Sequence, residues 1–232
     1  MLNYILQIDT ATDKCSVSIS ANGTTIGLRE AEEPNMHASM LTVYIDELLS
    51  SLSLLYSDLV AVAVSKGPGS YTGLRIGVST AKGLCYALDI PLIAINTLDS
   101  MFSGYVSTHG LIQAARYIPM LDARRMEVYA KVFAGNEALL QDTAAIIIDE
   151  HTFQAYSPAD VYLFGSGAAK LSSLFQQQPQ IHIDATFAQS SGFLSKLAWR
   201  KFTEKDFEDL IYFEPYYLKE FVATQPKKIL GK

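Results

Sequence analysis

The run Cys15-Ser16-Val17-Ser18-Ile19-Ser20 alternates strictly and predicts a half-buried strand, with Cys15, Val17 and Ile19 facing a core and the three serines facing solvent. Ile5 and Ile8 mark a strand before it. Asn22-Gly23 predicts a hairpin turn into a third strand near residues 24–29, so the chain opens as an antiparallel meander. A helix is expected from about Met36, because Leu41, Tyr44, Ile45, Leu48, Leu49 and Leu52 repeat at helical spacing. Residues 59–64 are apolar throughout, the pattern of a central strand covered on both faces. A glycine-rich loop and a helix to about Leu88 follow, then a strand over 91–95. Leu98, Met101, Phe102, Tyr105 and Val106 repeat the helical spacing, with Thr97 as the expected cap.

The second half restarts in the same way. Strands are predicted over 117–122, 126–133, 144–148 and 161–164. Gly165-Ser166-Gly167 is expected to open a helix over 168–175, and Phe193, Leu194, Leu197, Ala198 and Phe202 to form a last helix. Ile8-Asp9 and Leu121-Asp122 each end a strand on a carboxylate before a tight connection. Downstream of each, an apolar strand ends in glycine, at Gly67 and Gly165. An α/β fold of two similar halves is therefore expected. The division is 1–97, then 98–217 with a last helix able to pack back on the first domain, then a tail over 218–232.

Composition narrows the function. The 232 residues carry a net charge of −6, which argues against nucleic-acid binding through bulk charge but leaves room for a local basic patch. The first residues lack a cationic leader pattern and no apolar run approaches the ~20 residues of a membrane span, so a cytoplasmic protein with no membrane contact is expected. Cys15 and Cys85, the two cysteines, lie in apolar segments and read as reduced, buried thiols.

Few constellations could carry chemistry. His37, His109, His151 and His182 include no pair at i, i+4, so a helical zinc site is absent, and no serine occupies a Gly-x-Ser-x-Gly elbow. The segment Gly67-Pro68-Gly69-Ser70-Tyr71-Thr72-Gly73-Leu74-Arg75 sets a flexible loop before a helix N-terminus. It reads either as an anion-favouring site or as a tight turn capped by Thr72, and it lacks the Lys-[Ser/Thr] ending of a phosphate loop. Arg75 opposes the helix dipole and calls for an acidic partner. Gly73, Gly77 and Ala81 recur every four residues, with Gly83 beyond, so another helix could approach closely, from this chain or from another subunit.

The blocks Ile8-Asp9-Thr10-Ala11-Thr12, Gly67-Pro68-Gly69-Ser70-Tyr71-Thr72-Gly73-Leu74-Arg75-Ile76-Gly77, Pro119-Met120-Leu121-Asp122-Ala123-Arg124-Arg125-Met126-Glu127-Val128-Tyr129, Phe164-Gly165-Ser166-Gly167-Ala168 and Glu214-Pro215-Tyr216-Tyr217-Leu218-Lys219 resemble the TsaB (YeaZ) family over nearly the whole chain. The resemblance implies two ribonuclease-H-like domains of the actin-like ATPase superfamily, each a mixed five-stranded sheet with helices. It implies a non-catalytic dimerisation subunit of the TsaB–TsaD–TsaE complex, which forms N6-threonylcarbamoyladenosine at position 37 of tRNAs reading codons that begin with adenine. TsaD would transfer the threonylcarbamoyl group. No catalytic residue, metal ligand or cofactor is expected in this chain, since ATP, Mg²⁺ and the metal ion would belong to partner subunits. The expected interface, to TsaD or to a second copy when alone, is Leu41, Tyr44, Ile45, Leu48, Gly73, Arg75, Gly77 and Ala81. A vestigial nucleotide cleft is expected at Asp9, Thr10, Thr12, Asp122, Gly165 and Gly167, although Arg124 and Arg125 stand where phosphate would need a glycine. tRNA would be met through the complex, with Lys227, Lys228 and Lys232 of the tail as cations for direct contact. The rival readings are an independent phosphotransferase or ATPase and, more remotely, a peptidase.

Overall fold

Alternation and loop chemistry build the first sheet largely as the sequence predicts. The computed structural model describes residues 2–31 and 37–219. The expected helix start at Met36 and the tail beyond Lys219 lie outside the described residues. Strands β1 (Tyr4–Asp9), β2 (Cys15–Ala21) and β3 (Thr24–Ala31) form the antiparallel meander. Asn22 and Gly23 turn it with φ of 48° and 83°, a left-handed pair that Asn and Gly tolerate best. Helix α1 (His37–Ser51) leads to β4 (Leu59–Gly67), α2 (Tyr71–Leu88) follows, and β5 (Leu92–Asn96) closes the sheet in the order β3-β2-β1-β4-β5. β4 pairs in parallel with β1 and β5.

The second sheet repeats that order. After α3 (Thr97–His109) come β6 (Arg116–Asp122), β7 (Glu127–Ala134), β8 (Leu139–Ile147), β9 (Val161–Phe164) and β10 (Ile181–Asp184), arranged β10-β9-β6-β7-β8. β6–β7 and β7–β8 are antiparallel, while β6–β9 and β9–β10 are parallel. The expected helix over 168–175 is instead a series of tight turns around the 3-10 helix Ala169–Leu171. Bonds from Leu171 N–H to Ala168 O and from Leu174 N–H to Leu171 O hold it, and they swing Leu171 and Phe175 into the core within a few residues. β10, unforeseen in the sequence, carries only four residues, too few for a periodic signal.

Both faces of the first sheet are covered. Leu6, Ile8, Val17, Ile19, Val62 and Val64 pack beneath α1 and α2. Ile5, Ala61, Ala63, Ile93 and Ile95 pack beneath a 3-10 turn (Ser191–Leu194) and α4 (Ser195–Glu204) through Leu194 and Ala198. Ser16, Ser18 and Ser20 are therefore buried and not solvent-facing as the alternation suggests. Their hydroxyls are satisfied inside. Gln7 Nε2 donates to Ser20 Oγ (2.5 Å), Ser18 Oγ donates to Gln7 Oε1 (3.0 Å), and Ser191 N–H donates to Ser16 Oγ (2.8 Å).

Two caps fall one or two residues earlier than expected. Ser70, not Thr72, caps α2 by accepting from Gly73 N–H (3.3 Å), and Asn96, not Thr97, caps α3 by accepting from Leu98 N–H (2.9 Å). α3 then crosses to the second sheet, where Phe102 stacks on Phe133 and Tyr105 on Phe164, both with ring centroids 4.0 Å apart. The buried Lys131 ammonium on β7 meets Asp99 of α3 at 2.6 Å.

The small-residue stripe of α2 faces inward. Gly73, Gly77 and Ala81 are buried, and a Cβ on Gly77 would stand 2.2 Å from Thr10 Oγ1. Thr10 Oγ1 in turn donates to Gly73 O (2.7 Å), so the glycines let α2 settle onto the end of β1 and not onto a foreign helix. Leu41, Ile45 and Leu48 of α1 are likewise interior. These six positions are corrected from interface to core, because the apolar stripe of a surface helix turns to its own sheet. Gly77→Ala is expected to destabilise the protein by about 1–3 kcal/mol through overpacking against Thr10, read as a lowered urea midpoint with an unchanged slope.

Candidate functional site

Four chain segments, with Ser166 beside them, meet between the two sheets and line a cleft of about 810 Å³. The β1–β2 loop contributes Thr12 and Asp13, the start of α2 contributes Ser70 and Tyr71, and the β6–β7 hairpin contributes Asp122 and Arg124. The fourth segment is the strap after α4. Glu208 N–H donates to Leu92 O (2.9 Å), Lys82 Nζ donates to Phe213 O (2.9 Å), and Tyr216 N–H donates to Lys66 O (2.7 Å). Gly67, with φ 115°, admits this crossing, since a Cβ there would lie 2.6 Å from Tyr216 O. The strap then reaches the second half: Tyr217 packs on Tyr71 with centroids 4.7 Å apart, and Lys219 Nζ ion-pairs with Glu127.

The hairpin opposite is tight. Arg124 and Arg125 both hold left-handed φ, 72° and 52°, a conformation that costs a non-glycine residue about 1 kcal/mol. Asp122 Oδ1 accepts from Arg124 N–H (3.0 Å) and from the Lys170 ammonium, which supports the turn. Gly165, at φ 99°, lines a smaller adjoining cavity of about 320 Å³ with Thr12. A Cβ on Gly165 would stand 2.5 Å from Met120 O, and one on Gly167 would stand 3.0 Å from Leu121 O. Both glycines serve close packing against β6.

The six residues expected to form a nucleotide cleft therefore separate. Thr12 and Asp122 border the main cleft, and Gly165 borders only the smaller cavity. Gly167 packs against the backbone of β6. Thr10 is buried, its hydroxyl committed to Gly73 O. Asp9 is 1 % exposed and sealed from both cavities. Its Oδ1 accepts from Ala11 N–H (3.0 Å), and its Oδ2 accepts from Ser65 Oγ (2.5 Å) and Gln189 Nε2 (2.7 Å). Gln189 also donates to Ser100 Oγ, while its Oε1 is buried with no hydrogen-bond partner among the described residues.

This donor set does not fit a Mg²⁺–phosphate group. Asp9 points inward, Asp122 is held by Lys170, and two arginines crown the hairpin where phosphate would have to approach. Among the described residues, no group of three or more His, Cys, Asp and Glu is placed to hold a metal ion. Burial pushes the Cys15 thiol up to about 11 and the Cys85 thiol to about 12, so both stay protonated near neutrality. Arg75 is exposed on α2 and lies 5.6 Å over the Tyr71 ring, where an acidic partner was expected. Tyr44 is half-buried on α1. Tyr71, Tyr216, Tyr217 and Gln189 are the residues that sequence reasoning left without a role. The Glu214-Pro215-Tyr216-Tyr217 block was the available signal for two of them.

Burial is the leading cause that raises the Asp9 carboxyl above its ordinary 3.8, outweighing the three donors that stabilise its charge. A raised carboxyl binds its proton more tightly when folded, so its stabilising contribution is complete below about pH 4 and declines as pH rises through the folded value. Asn at position 9 stays neutral, and rotation of the Gln189 amide would offer Oε1 to its NH₂. The urea midpoint of Asp9→Asn is therefore expected to gain on that of the native protein between pH 4 and pH 7. A difference independent of pH would show that Asp9 does not carry this term.

Comparison with known proteins places the chain. The family model described as "TsaD: tRNA N6-adenosine threonylcarbamoyltransferase" matches residues 31–230. The Escherichia coli K12 tRNA threonylcarbamoyladenosine biosynthesis protein TsaB is 29% identical over 98% of this chain and 99% of its own length. The Bacillus subtilis 168 protein of the same name is 34% identical over 59% of this chain and 58% of its own. Among solved structures, YeaZ from Pseudomonas aeruginosa superposes with a TM-score of 0.80 at 25% identity, covering 93% of this chain and 100% of that one. A polyphosphate/ATP-glucomannokinase from Arthrobacter sp. strain KM shares the fold alone, with a TM-score of 0.50 at 11% identity over 88% of this chain and 99% of its own. The architecture is a two-lobed α/β fold of two mixed five-stranded sheets with helices. No helix among the described residues is long and apolar enough to cross a membrane.

Proposed function

The chain belongs to the threonylcarbamoyltransferase family, within it to the TsaB (YeaZ) proteins, and from that premise we propose that it is a non-catalytic subunit of the assembly that forms N6-threonylcarbamoyladenosine in tRNA. It supports a TsaD protein that carries out the transfer, with TsaE completing the complex, and ATP, Mg²⁺ and the metal ion are held by those partners. The observation that carries this reading is the sealed Asp9. The carboxylate best placed by the fold to manage a phosphate is spent on Ser65, Gln189 and the Ala11 N–H. A group so enclosed holds the interior together and has no access to substrate.

The docking face is the outer side of α1 and α2. With Leu41, Ile45, Leu48, Gly73, Gly77 and Ala81 committed to the interior, this side presents Val43, Tyr44, Arg75, Ile76, Gly83 and Tyr86. Tyr86 is 83 % exposed, and a Cβ on Gly83 would meet nothing within 4 Å. A large exposed aromatic and an arginine beside an open glycine suit the composition of an interface centre. A cognate TsaD and a second copy of this chain would compete for it.

Reconstitution of tRNA threonylcarbamoylation with this chain, its cognate TsaD and TsaE tests the assignment. This chain alone is expected to give no modified tRNA, and omitting it to reduce modification at least about tenfold, a coupling within reach of one interface. Modification or enzymatic ATP turnover by the isolated chain would overturn it. Tyr86→Asp is expected to abolish co-elution with TsaD while leaving the circular dichroism spectrum native, and retained co-elution would remove α2 from the interface.

A further inference from the structure

Lys82 stands one turn before Tyr86 on α2, so the two side chains leave the helix on the same side. The Lys82 ammonium is committed to the strap after α4, donating to Ile211 O (3.3 Å) and Phe213 O (2.9 Å). The strap turns sharply there. Asp209 Oδ1 accepts from Ile211 N–H (2.8 Å) and Tyr212 N–H (3.2 Å), and Phe213 N–H donates to Asp209 O (2.9 Å). Leu210 and Phe213 pack onto the core beneath α1 and α2, and the turn between them drives Ile211 and Tyr212 outward.

Ile211 is 79 % exposed and Tyr212 80 %, at two positions where a polar residue would serve the fold as well. With Tyr86 they are the three most exposed large apolar side chains among the described residues, and Lys82 ties their two segments together. The rest of the outer side of α1 and α2 adds little, since Tyr44 and Ile76 are half-buried. A stable interface takes about 800 Å² from each partner. The three exposed side chains together offer on the order of 500 Å² towards it.

Charge selects the occupant. Glu208, Asp209 and Glu214 flank the turn, and α1 carries Asp46 and Glu47 with no lysine or arginine. A second copy could bring to the turn its own turn or its α1, both acidic, or the one uncommitted cation of α2, Arg75. Copies of this chain therefore meet the turn mainly with like charge, which disfavours their association. We propose that the turn over residues 209–213 is a second contact for the TsaD protein, seated in an apolar hollow of that partner rimmed by lysine or arginine, and takes no part in contact between copies. The proposal rests on the docking of TsaD on α1 and α2 put forward above. The strap thereby distinguishes two occupants that the helical face admits alike.

Titration with TsaD and sedimentation of the isolated chain test it. Ile211→Ser/Tyr212→Ser is expected to bind TsaD at least about tenfold more weakly than the native chain. Its sedimentation, circular dichroism spectrum and urea midpoint are expected to stay native, because both side chains are exposed. Glu208→Lys/Glu214→Lys is expected to associate with TsaD more slowly and with a weaker salt dependence. Native affinity in the serine variant, or a native association rate in the lysine variant, overturns the proposal. So does altered sedimentation of the isolated serine variant, which would make the occupant a second copy. Tyr86→Asp separates this contact from the helical face. If it abolishes TsaD binding while the serine variant binds normally, the helical face stands and the strap contact falls; if neither affects binding, both fall.

Discussion

The burial of the Asp9 carboxylate beneath the turn at Ser191–Leu194 is the constraint on which the rest of the arrangement depends. A charge taken out of water must find donors, and here three reach it: the Ala11 backbone two residues on, Ser65 on β4 and Gln189 before α4, whose amide also donates to Ser100 on α3. One amide thereby ties the first sheet, the crossing helix and the returning segment into one body. The serines of β2 extend the same polar layer through Gln7 and Ser191. Apart from Gln189 Oε1, the polar groups of this layer find their partners inside, and together they set the register of these parts.

That arrangement separates shape from chemistry. The two hairpins that face each other across the fold remain, as does the cavity between them, yet their polar atoms are occupied. Thr10 is committed to α2, Asp9 to the interior and Asp122 to Lys170, while Tyr217 and Lys219 of the strap close part of the cleft mouth.

Much of this was legible in the sequence because it is local. Alternation, the Asn22-Gly23 turn and the all-apolar run of β4 each report on neighbours within a few residues, and such signals give the succession of elements in the first half and, β10 excepted, the strands of the second. The failures share a cause. Period-two alternation correctly put Ser16, Ser18 and Ser20 on one face, but what covers that face arrives about 175 residues later, at Ser191. Spacing likewise identified the Gly73–Gly77–Ala81 stripe but not its neighbour, which is Thr10 of the same domain. Leu41, Ile45 and Leu48 mark the inward side of α1, so spacing alone picked out the buried side of the helix. Gln189 carried no signal at all, since a lone glutamine gains its meaning only from the carboxylate it meets.

Helix α4 is encoded after the second sheet yet lies on the first, filling the surface formed by Ile5, Ala61, Ala63, Ile93 and Ile95. The chain thus returns to its starting half after building the second sheet, and the boundary near residue 97 is one of topology and not of cohesion. A fragment stopped there would bare an oily sheet to water, so the N-terminal half cannot mature as soon as it leaves the ribosome. Completion of the first lobe must await synthesis of the second, and the two halves of this duplicated architecture are bound to a common folding schedule.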